Sequence, residues 1–405
     1  MIEFVDNLLA IIISFFSILL CVELLLGIYF IRKLQEQGDV NNLEDVADSG
    51  LLKNVVLIPA HNESDVIADT LISLKSELSP LDKIVVVADN CSDTTIDICK
   101  ELGVIVVERL STDKLGKGYA LDFGVKWSLE NLEFDSLVIF DADCKFKQGS
   151  FLSLVTQTNF TGKIHQASYL MKAANDDPKR KVSEFTWWIK NAIRATGLNL
   201  LNVGCHIQGS GVAFPKHTLS SVDFASGSIV EDLELGLNLS INKNDVVYYP
   251  SSQVESYFPS NDKGLEQQRQ RWEHGHLDTV LKMPFFMGSA IKNRSLKAAI
   301  LVADAAIPPL FAYIILLVLA FFVGLIFSFN ESYTLMTAGI NSLLSLAVLL
   351  ILAWLIRGYH ILQVSDIVGI ARFLKDKVKV YVSFLTKKQT TWVRTTRDDK
   401  KDDKD

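Results

Sequence analysis

Two aspartates one residue apart, Asp141 and Asp143, follow the apolar run LVIF. In an extended turn that spacing brings two carboxylates near one point. Such a donor set suits a hard divalent cation that also carries waters and phosphate oxygens. A D-x-D alone is a common loop feature; its position straight after an apolar run makes it a candidate here. Asp89 ends KIVVVAD, where a ribose or base edge could be hydrogen-bonded. The stretch Pro59-Ala60-His61-Asn62-Glu63 follows a third such run. Asp93, ahead of TTIDICKEL, reads as a helix cap instead. Glu231 and Asp232 open the helix of SIVEDLELGL, where the helix dipole alone favours acidic residues.

Other residues could meet anions or a substrate backbone. LGKGYALDFG places Lys114 and Lys117 at a helix start, which suits phosphates or a nucleotide edge and equally a plain glycine turn. Gly209-Ser210-Gly211 could allow close backbone approach to a substrate. In LEQQRQRWEHGHLD, Gln268 and Arg271 share a helix face and Trp272 adds an aromatic ring. His274 and His276, two apart, face different ways on a helix and do not make a zinc pair. No G-x-G-x-x-G follows the first strand and no Walker A lysine appears, so dinucleotide and P-loop readings are poorly supported.

These residues need elements to hold them. NVVLIPA, KIVVVAD, VIVVER and LVIF read as buried parallel strands. Amphipathic stretches 65–78, 94–102 and 118–130 alternate with them, which implies a doubly wound α/β sheet with ligands at the strand carboxyl ends. The 405 residues are 49% hydrophobic and 21% charged, with a mean hydropathy of +0.24. That balance fits one such domain plus a few membrane helices. The net charge of −7 gives no reason to expect nucleic acid as a partner. Five cysteines without a CxxC pair suggest a reduced compartment.

Leu8–Ile31 is long enough to span, with an acidic leading flank and Arg32-Lys33 behind it. Glu23 within it reads as a functional carboxylate or as a packing and interfacial one. Pro308-Pro309 divides an interfacial helix from a span over 309–329; Asn330–Tyr333 is the outer turn, and Leu335–Ile356 returns. The expected organisation is a membrane helix (1–33), a linker (34–53), the α/β domain (54–285), an interfacial helix (286–306), two membrane helices (307–357), and a basic amphipathic segment with a charged tail (358–405). Basic flanks put the α/β domain on the cytoplasmic side of a multi-pass cell-membrane protein.

The order IPAHNE, ADNCSDTT, GKGYAL, DAD, GSG, VED and Q-x-x-R-W is more specific than any one motif. Over residues 54–275 the chain resembles a membrane-integrated family 2 glycosyltransferase of the GT-A fold, with a Rossmann-like mixed sheet. It is similar to cellulose, hyaluronan, chitin-oligosaccharide and poly-N-acetylglucosamine synthases. The resemblance implies a nucleotide-sugar donor, a UDP-sugar first, and inverting hexosyl or N-acetylhexosaminyl transfer to a saccharide or lipid-linked acceptor. It implies a divalent cation, Mg or Mn, on Asp141 and Asp143. Donor contacts would come from Pro59, Glu63, Asp89, Lys117, Asp141, Gln268 and Arg271. Acceptor contacts would come from Gly209, Ser210, Gly211, Glu231 and Trp272, with Asp232 as the general base. Val230 stands where the family pattern has threonine, which leaves the base intact. Processive synthesis, transfer to a simple lipid, and a non-catalytic sugar-nucleotide-binding subunit remain open. Q-x-x-R-W argues against the polyprenyl-phosphate type, and the presence of Asp232 and D-x-D argues against the non-catalytic role. Three spans have few faces left to line a polar channel, so one or a few additions are expected, with export by a transporter or partner subunit.

Overall fold

The computed structural model describes residues 1–37 and 52–386. Most of the expected linker and the charged tail lie outside the described residues. In chain order the elements begin with α1 (Ile2–Gln37), β1 (Asn54–Ala60), α2 (Ile67–Lys75), β2 (Lys83–Asp89), α3 (Thr95–Glu101) and β3 (Ile105–Arg109). Next come α4 (Lys117–Asn131), β4 (Ser136–Ile139), β5 (Lys145–Phe146), α5 (Ser150–Thr161), β6 (Ile164–Lys172) and α6 (Pro178–Trp188). A π-helical turn over Ile189–Arg194 leads to α7 (Ala195–Leu200), β7 (Val212–Pro215), α8 (Lys216–Leu219), α9 (Glu231–Ile241) and β8 (Val246–Tyr257). Five helices finish the described chain: α10 (Asp262–Lys292), α11 (Leu296–Ala305), α12 (Leu310–Ser328), α13 (Thr334–Ile356) and α14 (Ile367–Thr386).

Two compact units emerge. One, over 52–174 and 204–268, holds an eight-stranded sheet in the order β3-β2-β1-β4-β7-β6-β8-β5. The first four strands are parallel, as their continuous apolar runs predict. The side chains of β1, β2 and β4 are buried apart from half-buried Pro59 and exposed Lys83, while β3, at the sheet edge, exposes Glu108. Beyond β4 the sheet turns mixed: β7 is antiparallel to β4 and β6, while β8 runs parallel to β6. The arrangement is the GT-A kind. The long β6 and β8 carry few unbroken apolar runs and were not resolved as strands from sequence.

The other unit, over 1–37, 175–203 and 269–386, is helical. Three of its helices are long and apolar enough to cross a membrane: 2–31, 310–328 and 334–356. α1 packs along α13 and α12 and crosses α7. Asp6 caps α13 from across the unit, accepting from Thr334 N at 2.9 Å, Leu335 N at 3.2 Å and Ser332 Oγ at 2.8 Å. Its place in the sequence reads only as an acidic flank. Glu23 is fully buried and paired with Arg194 at 3.1 Å, and Arg194 also pairs with Asp304. The helix expected over 286–306 is two pieces. α10 runs on to Lys292 with Pro284 inside it, and then Arg294 adopts φ +51°. Ser295 Oγ caps the next helix by accepting from Ala298 N. One face of α14 is also occupied: it packs on α6, and Lys377 pairs with Glu273 of α10.

Candidate active site

The parallel pairing of β1 and β4 sends the chain out on the same sheet edge after both strands. Phe140 N donates to Leu57 O at 3.0 Å, which extends the pairing by one residue. The D-x-D turn is then held from two more sides. Thr70 Oγ1 of α2 donates to Ala142 O at 2.7 Å, and Asp141 N donates to Ser210 Oγ at 3.1 Å. Ligand atoms of Asp141, Asp143 and Cys144 lie within 4.8 Å of one another. Cys144 is fully buried, and burial raises its thiol well above its usual range. The two carboxylates suit a hard divalent cation.

The GSG loop reaches the same place from β7. Gly209 has φ +98°, and a methyl group on it would lie 3.4 Å from Asp232 Oδ2 and 3.9 Å from Asp141 Oδ2. Loop, base candidate and D-x-D therefore converge. Ser210 is fully buried, with its hydroxyl committed to Asp141. Its side chain positions the D-x-D turn. Buried Gln166 on β6 grips the loop from beneath: Nε2 donates to Ser210 O at 2.8 Å and Oε1 accepts from Gln208 N at 3.0 Å. Sequence reasoning missed Gln166, whose only signal is a polar residue inside a strand.

α9 presents Glu231 and Asp232 in its first turn, and Asp232 Oδ1 accepts from Leu233 N at 2.9 Å. With Val230 at the N-cap, the helix has no side-chain cap. α4 brings Lys117 to face this turn. Lys117 Nζ lies 2.6 Å from Asp141 Oδ1 and 3.9 Å from Glu231 Oε1, and donates to Gly209 O at 2.8 Å. Gly118 makes that approach feasible, because a Cβ there would stand 2.6 Å from Ser226 O. Burial would discharge the lysine, but Asp141, Glu231 and Asp232 outweigh it and hold the ammonium above its usual range. Burial also raises the Asp141 carboxyl, opposed by Lys117. Glu231 is pushed up to about 7 by burial, with Lys117 opposing and Asp232 adding to the rise.

Asp89 is buried and paired with Arg109 at 2.5 Å. The two face each other in the β2–β3 register, and Arg109 Nη2 also donates to Lys114 O at 2.6 Å. Arg109 was missed; its signal was two charged residues closing adjacent apolar runs. Pro59 sits in β1 beside Val87. Glu63 lies in the turn before α2, its carbonyl accepting from Ile67 N at 2.9 Å and its N–H donating to Thr95 Oγ1 at 2.8 Å. Asp93 accepts from Thr95 N at 3.0 Å, but it stands one residue ahead of Thr94, the N-cap of α3, which has no side-chain cap.

The Q-x-x-R-W motif lies on α10. Gln268 belongs to the sheet unit and is buried, with no partner for its Oε1 among the described residues. An unmet buried acceptor costs about 1–3 kcal/mol, which a bound ligand could relieve. Arg271 and Trp272 belong to the helical unit, where Trp272 lies against Trp187 with ring centroids 4.9 Å apart. His274 Nε2 meets Val380 O at 3.0 Å and His276 Nε2 meets Ala305 O at 3.1 Å, so each imidazole serves a different helix contact.

The family described as "Glycosyltransferase like family 2" matches residues 54–275, more than half of the chain. A poly-β-1,6-N-acetyl-D-glucosamine synthase of Staphylococcus aureus (strain MSSA476) is 24% identical over 314 residues, 75% of this chain and 74% of that protein. The Staphylococcus epidermidis protein of that name is 26% identical over 286 residues, 66% of this chain and 64% of its own. Among solved structures, a mannosyltransferase from Pyrobaculum calidifontis in complex with GDP-Man and Mn2+ aligns with a TM-score of 0.44 at 14% identity. That alignment covers 82% of this chain and 99% of that one.

Proposed function

Since the chain belongs to glycosyltransferase family 2, we propose that it moves a sugar from a UDP-sugar, with inversion, onto a polysaccharide or lipid-linked saccharide at the inner membrane face. The observation that carries this reading is the convergence of Asp141, Asp232 and the Gly209 loop beside Lys117. Asp232 takes the proton from an acceptor hydroxyl, whose oxygen attacks the anomeric carbon as the bond to the diphosphate breaks. General-base help of this kind contributes about 10²–10⁴-fold. Glu231 borders the acceptor, and the Gly209–Gly211 backbone lets it approach. Asp141 and Asp143 would hold a magnesium or manganese ion, which when bound would neutralise charge on the leaving diphosphate. Lys117 adds cationic charge for that group, and Asp89, held by Arg109, shapes the nucleoside end.

Similarity to the poly-N-acetylglucosamine synthases makes UDP-N-acetylglucosamine the first donor to test, and polymer extension the first reaction. Basic flanks support an inner catalytic domain, with product leaving through the spans, a partner subunit or a transporter. The test is detergent-purified full-length chain with a panel of sugar nucleotides and Mn2+ or Mg2+, scoring released nucleoside diphosphate and sugar-bearing product. One donor should be turned over well above the rest. Failure of every donor, with saccharide and lipid-linked acceptors both supplied, would contradict the proposal.

A further inference from the structure

Lys117 makes a demand on the cation site that the family reading does not include. Its ammonium is shared between Asp141 Oδ1 at 2.6 Å and Gly209 O at 2.8 Å, with Glu231 Oε1 at 3.9 Å. It is 22% exposed and is fixed at the first turn of α4. Asp141 is also one of only two carboxylates in the D-x-D donor set. A divalent cation on Asp141 would face this ammonium across one carboxylate, and like charges that close repel strongly outside bulk water. A cation arriving alone therefore has to displace Lys117 from Asp141 and leave it without an anion at that distance. A cation arriving with a diphosphate does not, because phosphate oxygens offer the ammonium a replacement.

We propose that Lys117 makes cation binding conditional on the donor: it holds Asp141 until a nucleoside diphosphate takes over its charge, so that cation and donor enter as a pair. This rests on the metal and donor sites proposed above. Departure of the nucleoside diphosphate returns Lys117 to Asp141 and expels the cation. The coupling is reciprocal, so the cation tightens nucleotide binding by the factor with which the nucleotide tightens cation binding.

The experiment is an electron paramagnetic resonance titration of Mn2+ into the purified full-length protein, first without nucleotide and then with saturating UDP. The wild type should bind Mn2+ weakly alone and about tenfold or more tightly with UDP, within the usual range of coupling between sites. Lys117→Gln keeps hydrogen-bond donors and removes the charge. It should bind Mn2+ alone at least about fivefold more tightly than the wild type, with a smaller gain from UDP. Lys117→Met should agree, and Lys117→Arg should stay near the wild type. Lys126→Met, which removes an exposed lysine paired with Asp122, should change nothing and so excludes a general effect of net charge. If Asp143→Ala abolishes Mn2+ binding but neither Lys117→Gln nor Lys117→Met tightens it, the conditional role is wrong and the metal site stands. If Asp143→Ala binds Mn2+ as the wild type does, the metal site itself is wrong.

Discussion

At the scale of single residues, the chemistry turns on a few carboxylates around one lysine. Asp232→Asn keeps the shape and removes the base. It should retain UDP binding and lose at least about 100-fold in transfer rate, measured as diphosphate release. Glu231 adds a pH signature. Its carboxyl is raised from 4.5 to about 7, so the folded state binds that proton more tightly than the unfolded chain does. Its contribution to stability is full below pH 4.5 and is lost as pH rises through 7. Across that window the wild type should lose melting temperature relative to Glu231→Gln; a constant difference would refute the assignment. The acidic pairs were legible because they sit where apolar runs stop or a helix begins. The role of Ser210 was not, since a glycine-flanked serine reads alike whether it faces a substrate or is buried under Asp141. Gln166 and Arg109 act through partners distant in sequence, which no local pattern encodes.

At the scale of elements, the parallel half of the sheet was legible to within a residue or so, because strands buried on both faces need unbroken apolar runs. β6 and β8 were not, since they mix polar and apolar residues along their length. The end of α10 escaped for a different reason. Its last turns are set by the left-handed Arg294 and the Ser295 cap, with no break at Pro284. Helix crossings are equally hidden. A Cβ on Gly197 of α7 would stand 2.1 Å from Glu23 O of α1, so the two backbones touch. Gly197→Ala should therefore destabilise the helical unit by about 1–3 kcal/mol, read as thermal unfolding in detergent. Gly288→Ala, with nothing within 4 Å on α10, should be neutral or stabilise by up to about 1 kcal/mol. Equal effects from the two would contradict the close crossing.

At the scale of the whole molecule, a glycosyltransferase domain shares its chain with three helices able to span a membrane. The proposed orientation makes the turn between α12 and α13 external. In a background without native cysteines, Tyr333→Cys, at a half-exposed position, should label from outside with an impermeant reagent, and Ser260→Cys should not. Ser332 is a poor probe because it is buried against Asp6. The reverse labelling would invert every segment together, since one charge rule fixes them all. The central claim is that Asp232 activates an acceptor for one direct displacement at the anomeric carbon. Its most direct test is the anomeric configuration of the first product formed from an α-linked nucleotide sugar, read by proton NMR before any mutarotation or hydrolysis. Direct displacement gives a β-linked sugar; an α-linked product would mean a retained configuration and would rule the direct displacement out.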